Sequence, residues 1–260
     1  MAPIRGTRST RNQVTWTCKA GHINDPQEHL LFDMPCFECR CGCGEKFDND
    51  FEFFMGDVKV NNHDVIGEPM HQEGATCVAF AYAKIMESTK RMKAIIEKKD
   101  PDLVPVMSAE DLVHKYEKLI GNDTSTGIKK VVHMAQILKD QGIRSEDKKT
   151  LYKVSDISTI RRDDCESIAS ALGKGFPLHA GLRVGKNLQK LKFCQIYKPP
   201  HGSQFIAQRI PVKGHAVVLI GAGRKKGRWY YFFLNSWRRF CVRKDSRGKL
   251  LRYGVGFSAI

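Results

Sequence analysis

The chain has 260 residues, of which 42% are hydrophobic and 27% charged, and these proportions are typical of a globular protein with a sizeable core. Its formal net charge of +15 favours acidic partners through the long-range field, but it does not by itself indicate nucleic-acid binding. No apolar run is long enough to span a membrane, and residues 1–13 lack the apolar segment of a secretory signal. We therefore expect a cytoplasmic protein without a membrane partner. Its nine cysteines are odd in number and loosely spaced, which favours a reducing compartment over a disulfide framework.

Residues 1–56 are predicted to form an N-terminal extension rich in cysteine and histidine. A structural zinc site takes four nitrogen or sulfur ligands, usually supplied as two close pairs. The spacing predicts one zinc ion held by Cys18, His22, Cys36 and Cys39. Cys41 and Cys43 are rival ligands, and free thiols or a disulfide are the alternatives to a metal.

Residues 71–87 predict a turn followed by a buried helix that begins at Cys77. The segment 73–76 is polar or small, whereas the next ten positions are nearly all apolar and contain no Gly or Pro. The free backbone N–H groups at a helix N-terminus favour an anion, and the thiolate form of Cys77 is the relevant one. The alternative is a cysteine that packs as a small hydrophobic side chain.

Residues 57–150 are predicted to form a helical half. Ser108 begins a capping-box-like sequence, apolar residues then recur at helical spacing, and Gly121 ends that helix. A further apolar pattern over residues 128–138 predicts another helix, which Gly142 closes.

Residues 151–260 are predicted to form a β half. A short helix capped at residues 163–166 ends at Gly173, and residues 176–184 read as a strand. An apolar strand follows His215, a turn at residues 225–227 leads into an aromatic strand, and residues 253–257 form the last strand. Several strands within about a hundred residues predict a barrel-like antiparallel sheet.

Three segments of the chain resemble those of the papain-like cysteine proteases. They are Cys77-Val78-Ala79-Phe80 with Gln72 before it, His215-Ala216-Val217, and Asn235-Ser236-Trp237. They occur in the family's order, and the separations are 215 − 77 = 138 and 235 − 77 = 158 residues, against about 130–150 in the family. The resemblance covers about residues 57–260. It implies an α+β, papain-like two-domain fold, with a helical domain, a barrel-like β domain and an active-site cleft between them.

The resemblance also implies a role for each residue of these segments. Cys77 would be the nucleophile, His215 the general acid and base, and Asn235 the residue that orients the imidazole. Trp237 would shield the His–Asn hydrogen bond from water, and Gln72 would donate to the oxyanion. The implied activity is hydrolysis of peptide bonds in proteins or peptides through a thioester, with no cofactor for catalysis.

The sequence departs from the family's pattern at several positions around Cys77. Val78 stands where the family has Trp, and Gly74 stands where it has a disulfide-bonded cysteine. Gln72 lies five residues before Cys77 instead of six, so His71 competes for the donor's position. A weakly active or inactive papain-fold binding protein with a basic surface is therefore the alternative function. The family's own locations, which are lysosomal, vacuolar or extracellular, are the alternative compartments.

Overall fold

A computed structural model describes most of the chain. The described residues are 14–60, 62–121, 124–125, 127–185, 187–192, 195–199, 213–237, 240, 243–244, 250–252 and 255–259. Within them the α-helices are α1 (Cys77–Ile96), α2 (Ala109–Ile120), α3 (Val131–Asp140) and α4 (Cys165–Gly173), and two short 3₁₀ helices are Met55–Asp57 and Pro101–Leu103. None of the helices in this part of the chain combines the length and apolarity needed to cross a membrane.

Within the described residues the strands form four two-stranded sheets and one sheet of six strands. They are β1 (Trp16–Thr17), β2 (Ile23–Asn24), β3 (Phe51–Phe54), β4 (Lys59–Val60), β5 (His63–Asp64), β6 (Ile143–Arg144), β7 (Leu151–Tyr152), β8 (Leu178–Val184), β9 (Ile196–Tyr197), β10 (Lys213–Lys225), β11 (Arg228–Leu234), β12 (Arg243–Lys244), β13 (Leu250–Arg252) and β14 (Val255–Ala259).

The larger sheet has six strands and is built around β10. Its order is β3-β10-β11-β14-β9, and β8 pairs with the first half of β10 while β3 pairs with the second half. All pairs are antiparallel except β14 with β9, which are parallel. Lys226 and Gly227, with φ of 50° and 72°, form the two-residue turn between β10 and β11. Positive φ at both turn residues matches the right-handed twist of the strands, so the turn predicted at residues 225–227 is confirmed.

The helices follow the predicted boundaries closely where local capping chemistry defines them. The side chain of Ser108 accepts a hydrogen bond from the backbone N–H of Asp111 at 3.1 Å, and this caps the start of α2. Gly121, with φ of 69°, adopts the left-handed conformation that ends the same helix. The last predicted strand, 253–257, is shifted to Val255–Ala259, and Tyr253 lies outside the described residues.

The long helix α1 lies against the middle of the sheet and supplies much of the core. Its buried positions include Ala79, Phe80 and Ala83, and its side chains face β10. Such a helix is stabilised by burial of its apolar surface on the sheet rather than by its intrinsic propensity. Since Cys77 is its first residue, the packing fixes the position of this cysteine relative to β10.

The N-terminal segment is joined to the sheet and is not a separate appendage. The strand β3 pairs with β10, with Phe54 opposite Gly221. Trp229 of β11 packs its ring against Phe37 and Phe51, with ring centroids 5.7 and 5.3 Å apart. The division into residues 1–56, 57–150 and 151–260 stays a prediction, and the first boundary falls just after a strand of the main sheet.

Candidate functional site

Cys77 lies at an uncapped helix N-terminus beside β10. Thr76 occupies the N-cap position, but its side chain makes no capping bond, and the first turn carries no acidic residue. The hydroxyl of Thr76 instead donates to the carbonyl of Glu73 at 2.7 Å. The Cys77 sulfur accepts a hydrogen bond from the backbone N–H of Ala216 at 3.4 Å. The thiol is therefore placed directly beside the residue that follows His215.

His215 and Asn235 are joined by a short, buried hydrogen bond. The imidazole Nε2 lies 2.7 Å from Oδ1 of Asn235, and the two residues are 6% and 1% exposed. An amide oxygen only accepts, so Nε2 carries the hydrogen and donates it. In the neutral imidazole Nδ1 is then left with its lone pair, which is the form able to take a proton from a thiol.

The environment of His215 acts on its charge in two opposed ways. Burial lowers the pKa of His215 from its ordinary value because desolvation disfavours the imidazolium. The hydrogen bond to Asn235 raises that pKa, since a donor bond favours the protonated ring. Burial is the larger effect, so the hydrogen bond to Asn235 reverses only part of the fall in pKa that burial causes.

Trp237 packs its ring against the imidazole of His215. Its ring centroid is 4.5 Å from that of the His215 imidazole, at an interplanar angle of 31°. Phe240 packs edge-on against the other part of the indole, with centroids 5.9 Å apart. A hydrogen bond shielded from water by apolar rings is stronger than a solvated one.

Gln72 is held against the segment that follows β11. Its backbone N–H donates to the carbonyl of Ser236 at 2.9 Å, and its side-chain oxygen accepts a short bond from the Ser236 hydroxyl. Its side-chain nitrogen donates to the carbonyl of Gly74 at 2.9 Å. The amide group thus lies in the turn before Cys77, and Ser236 fixes its oxygen end.

Ser236 is the residue that sequence reasoning missed. A serine next to Asn235 carries no pattern of its own, and its contact with Gln72 spans 164 positions of the chain. The only local signal was its place inside the Asn-Ser-Trp segment. Its hydroxyl and its carbonyl both bond Gln72, and it directly follows Asn235 in the chain.

The N-terminal thiols cluster in a set that differs from the predicted zinc ligands. The sulfur atoms that lie within 4.8 Å of one another belong to Cys18, Cys39, Cys41 and Cys43. His22 lies beside this group, with Nδ1 3.4 Å from the Cys39 sulfur. Cys36 is outside it, because its thiol donates to the carbonyl of Glu38 at 3.0 Å. The cluster therefore contains Cys18 and Cys39 of the predicted ligands. Cys41 and Cys43 take the places predicted for His22 and Cys36.

Comparison with known proteins identifies the fold. No protein-family model matches the chain, and no curated protein is significantly similar to it in sequence. Among solved structures, xylellain, a cysteine protease from Xylella fastidiosa, is 17% identical with a TM-score of 0.49, over 74% of this chain and 76% of that one. Digestive procathepsin L 3 of the Tenebrio molitor larval midgut is 17% identical with a TM-score of 0.50, over 75% of this chain and 61% of that one. The chain has a papain-like α+β fold, as the sequence predicted.

Proposed function

We propose that this protein is a papain-like cysteine peptidase that hydrolyses peptide bonds through Cys77, His215 and Asn235. The observation that supports it best is the junction of α1 and β10. There the Cys77 sulfur contacts the backbone of Ala216, and the neighbouring imidazole is bonded to Asn235 at 2.7 Å. A thiol, an imidazole and an amide that orients it are the three groups that such a triad requires for nucleophilic catalysis.

The reaction begins with transfer of the thiol proton of Cys77 to Nδ1 of His215. The sulfur then attacks the carbonyl carbon of the peptide, and the carbonyl π electrons move to oxygen. His215 gives its proton to the leaving amine, the C–N bond breaks, and a thioester remains on Cys77. A water molecule gives a proton to His215 while its oxygen attacks the thioester carbon. The C–S bond then breaks, the acid leaves, and the sulfur regains its proton from His215.

The negative charge of the tetrahedral intermediate needs two hydrogen-bond donors. The backbone N–H of Cys77 at the free helix end supplies the first, and the side-chain amide of Gln72 supplies the second. The amide nitrogen of Gln72 now bonds Gly74, so it turns toward the substrate when the oxyanion forms. The Ser236 hydroxyl bonds the amide oxygen in the present orientation and so positions the side chain before that rotation.

The proposal is tested by labelling with an epoxide reagent directed at thiols and by cleavage of a fluorogenic peptide library. Cys77 should be alkylated faster than the other cysteines, and Cys77→Ala should abolish cleavage. Cys165→Ala is the matched control, because Cys165 is also a free, half-buried cysteine at a helix start. It should leave cleavage unchanged.

Equal labelling of Cys77 and Cys165, with no peptide cleaved by the reduced protein, would remove the peptidase proposal. A protein partner that binds equally well to the wild type and to Cys77→Ala would then favour the papain-fold binding protein.

A further inference from the structure

Four thiols in the N-terminal segment meet at one point. The sulfur atoms of Cys18, Cys39, Cys41 and Cys43 lie within 4.8 Å of one another. The Cys41 sulfur is 3.2 Å from that of Cys39 and 4.0 Å from that of Cys18. Four sulfurs bound at about 2.3 Å to a tetrahedral zinc ion lie about 3.8 Å apart. The cluster therefore has the dimensions of a four-thiolate zinc site.

Two tight loops deliver these thiols. The first follows β1, where the backbone N–H of Cys18 donates to the carbonyl of His22 and that of Gly21 donates to Cys18, at 3.0 and 2.8 Å. In the second loop the N–H of Cys39 donates to Glu45 at 2.8 Å, and that of Gly42 donates to Cys39 at 3.3 Å. Each loop is closed by its own backbone bonds, so the sulfurs are positioned without a disulfide.

Asn24, which directly follows the first loop, bonds the second loop through its side chain. It is fully buried, and its side-chain nitrogen donates to the Cys39 sulfur at 3.3 Å. Its side-chain oxygen accepts from the backbone N–H of Arg40 at 3.2 Å. A buried donor aimed at a cysteine sulfur stabilises a thiolate and orients a metal ligand.

Cys36 is directed away from the cluster by its own partners. Its thiol donates to the carbonyl of Glu38, and its carbonyl accepts from the indole N–H of Trp16 at 2.7 Å. Both contacts make Cys36 part of the packing under the loops. This distinguishes it from Cys41 and Cys43, which are exposed and have no role in the core.

We propose that Cys18, Cys39, Cys41 and Cys43 bind one structural zinc ion. Binding releases the protons of the thiols, and the four thiolates with Zn²⁺ carry a net charge of about −2. Lys19 follows Cys18 and Arg40 lies between Cys39 and Cys41 in the sequence, so two cations adjoin three of the ligands and offset that charge. His22 packs beside the site without completing it.

The zinc ion would hold the two loops together where the chain approaches the sheet. Phe47, four residues after Cys43, packs its ring against Trp16 and accepts a short bond at its carbonyl from Arg224 of β10. Asp50 accepts from the backbone N–H of Lys226 at 2.7 Å. Loss of the metal should therefore loosen the edge of the sheet at the β10–β11 turn.

The test uses the full chain, produced with zinc, purified under reducing conditions and analysed for metal by mass spectrometry. We expect about one zinc per chain. Replacement by Co²⁺ should give the intense charge-transfer and visible bands of tetrahedral thiolate coordination. Cys41→Ala and Cys43→Ala should each weaken zinc binding by more than about 100-fold, since loss of a ligand exceeds the effect of its outer partners. Both positions are exposed, so folding should survive.

Two control variants separate this ligand set from its rival. Cys36→Ala and His22→Ala should keep the metal and the cobalt spectrum. Loss of zinc in these two variants, with retention in Cys41→Ala and Cys43→Ala, would overturn the assignment. A wild-type protein without zinc, whose thiols titrate as free or as disulfides, would overturn the site altogether.

Discussion

Among the described helices, α1 and α4 each begin with a free, half-buried cysteine, and the surroundings of these two cysteines differ. Cys77 starts α1 and Cys165 starts α4. At α4 the side chain of Asp164 accepts from the backbone N–H of Ser167 at 3.0 Å, and Glu166 adds a second carboxylate to the first turn. That helix end is already satisfied by a negative charge. At α1 no side chain caps the free N–H groups, and no acid lies in the first turn.

A cysteine therefore needs more than a position at a helix N-terminus to act as a nucleophile. The backbone N–H groups at the start of α1 remain free to bind a thiolate or an oxyanion. At the start of α4 the carboxylate cap already occupies such a position and would repel a thiolate at Cys165. The second requirement is a base, and the Cys77 sulfur accepts a hydrogen bond from Ala216, the residue that follows His215. Changes to the base, the oxyanion donor, the orienting residue and the caps should therefore have effects that decrease in that order.

The largest effect is expected from removal of the base. His215→Ala should lower kcat by about 10²–10⁴-fold, since a positioned general acid and base contributes that much. Alkylation of Cys77 should fall toward the rate of Cys165, which should itself not change. Peptide cleavage and mass-spectrometric labelling of both cysteines measure the two effects together. A variant that retained the fast labelling of Cys77 would show that the helix end alone activates it.

The second-largest effect is expected from Gln72, the proposed oxyanion donor in the turn before α1. Gln72→Ala should lower kcat by about 10²–10³-fold, with KM little changed, because the lost bond forms only in the transition state. His71→Ala is the control and should have a much smaller effect. The reverse order of the two variants would assign the donor's place to His71. Ser236→Ala should fall between them, because it frees the amide oxygen of Gln72 without removing the donor.

A smaller effect is expected from Asn235, and its sign follows from the pKa of His215. The hydrogen bond to Asn235 raises that pKa, which burial lowers. Asn235→Ala should therefore move the alkaline limb of kcat/KM for peptide cleavage to lower pH, because the imidazolium that His215 forms by taking the Cys77 proton is lost at lower pH. A bond worth about 1–1.5 kcal/mol corresponds to about a five- to tenfold loss of rate near that limb. Asn235→Asp supplies a negative charge and should move the same limb to higher pH. Identical shifts in the two variants would contradict this assignment.

The fold and the proximity of its three motifs could be predicted because their signals are local. The start of α1 at Cys77, the cap at Ser108 and the turn at Lys226 each depend on residues within one turn of chain. Helix caps and tight turns of this kind are therefore determined by a few consecutive residues. The order of three such stretches then indicated which residues would meet, and the structure brings Cys77, His215 and Asn235 to one junction.

The rest depended on contacts between distant segments. The pairing of β3 with β10 joins residues about 170 positions apart, and nothing in residues 51–54 specifies that partner. The choice among the N-terminal thiols depends on loop closure, which turns Cys36 toward Glu38 and leaves Cys41 and Cys43 beside Cys18. Spacing alone favours Cys36, because two-residue separations are the commonest in zinc sites. The binding of zinc by either set stays a prediction.

The smallest effect is expected from the caps themselves, and it tests the comparison most directly. The bond from the Ser167 N–H holds the pKa of Asp164 below its ordinary value, so this cap is charged at neutral pH. Asp164→Asn keeps an acceptor but removes the charge, and it should speed the alkylation of Cys165. Thr76→Asp places a carboxylate at the start of α1 and should slow the alkylation of Cys77. A charge at a helix end is worth about 0.3–1 kcal/mol, so each rate should change by about two- to fivefold at low ionic strength and less in salt. If Thr76→Asp left the labelling rate of Cys77 unchanged, the reactivity of this cysteine would derive from His215 alone.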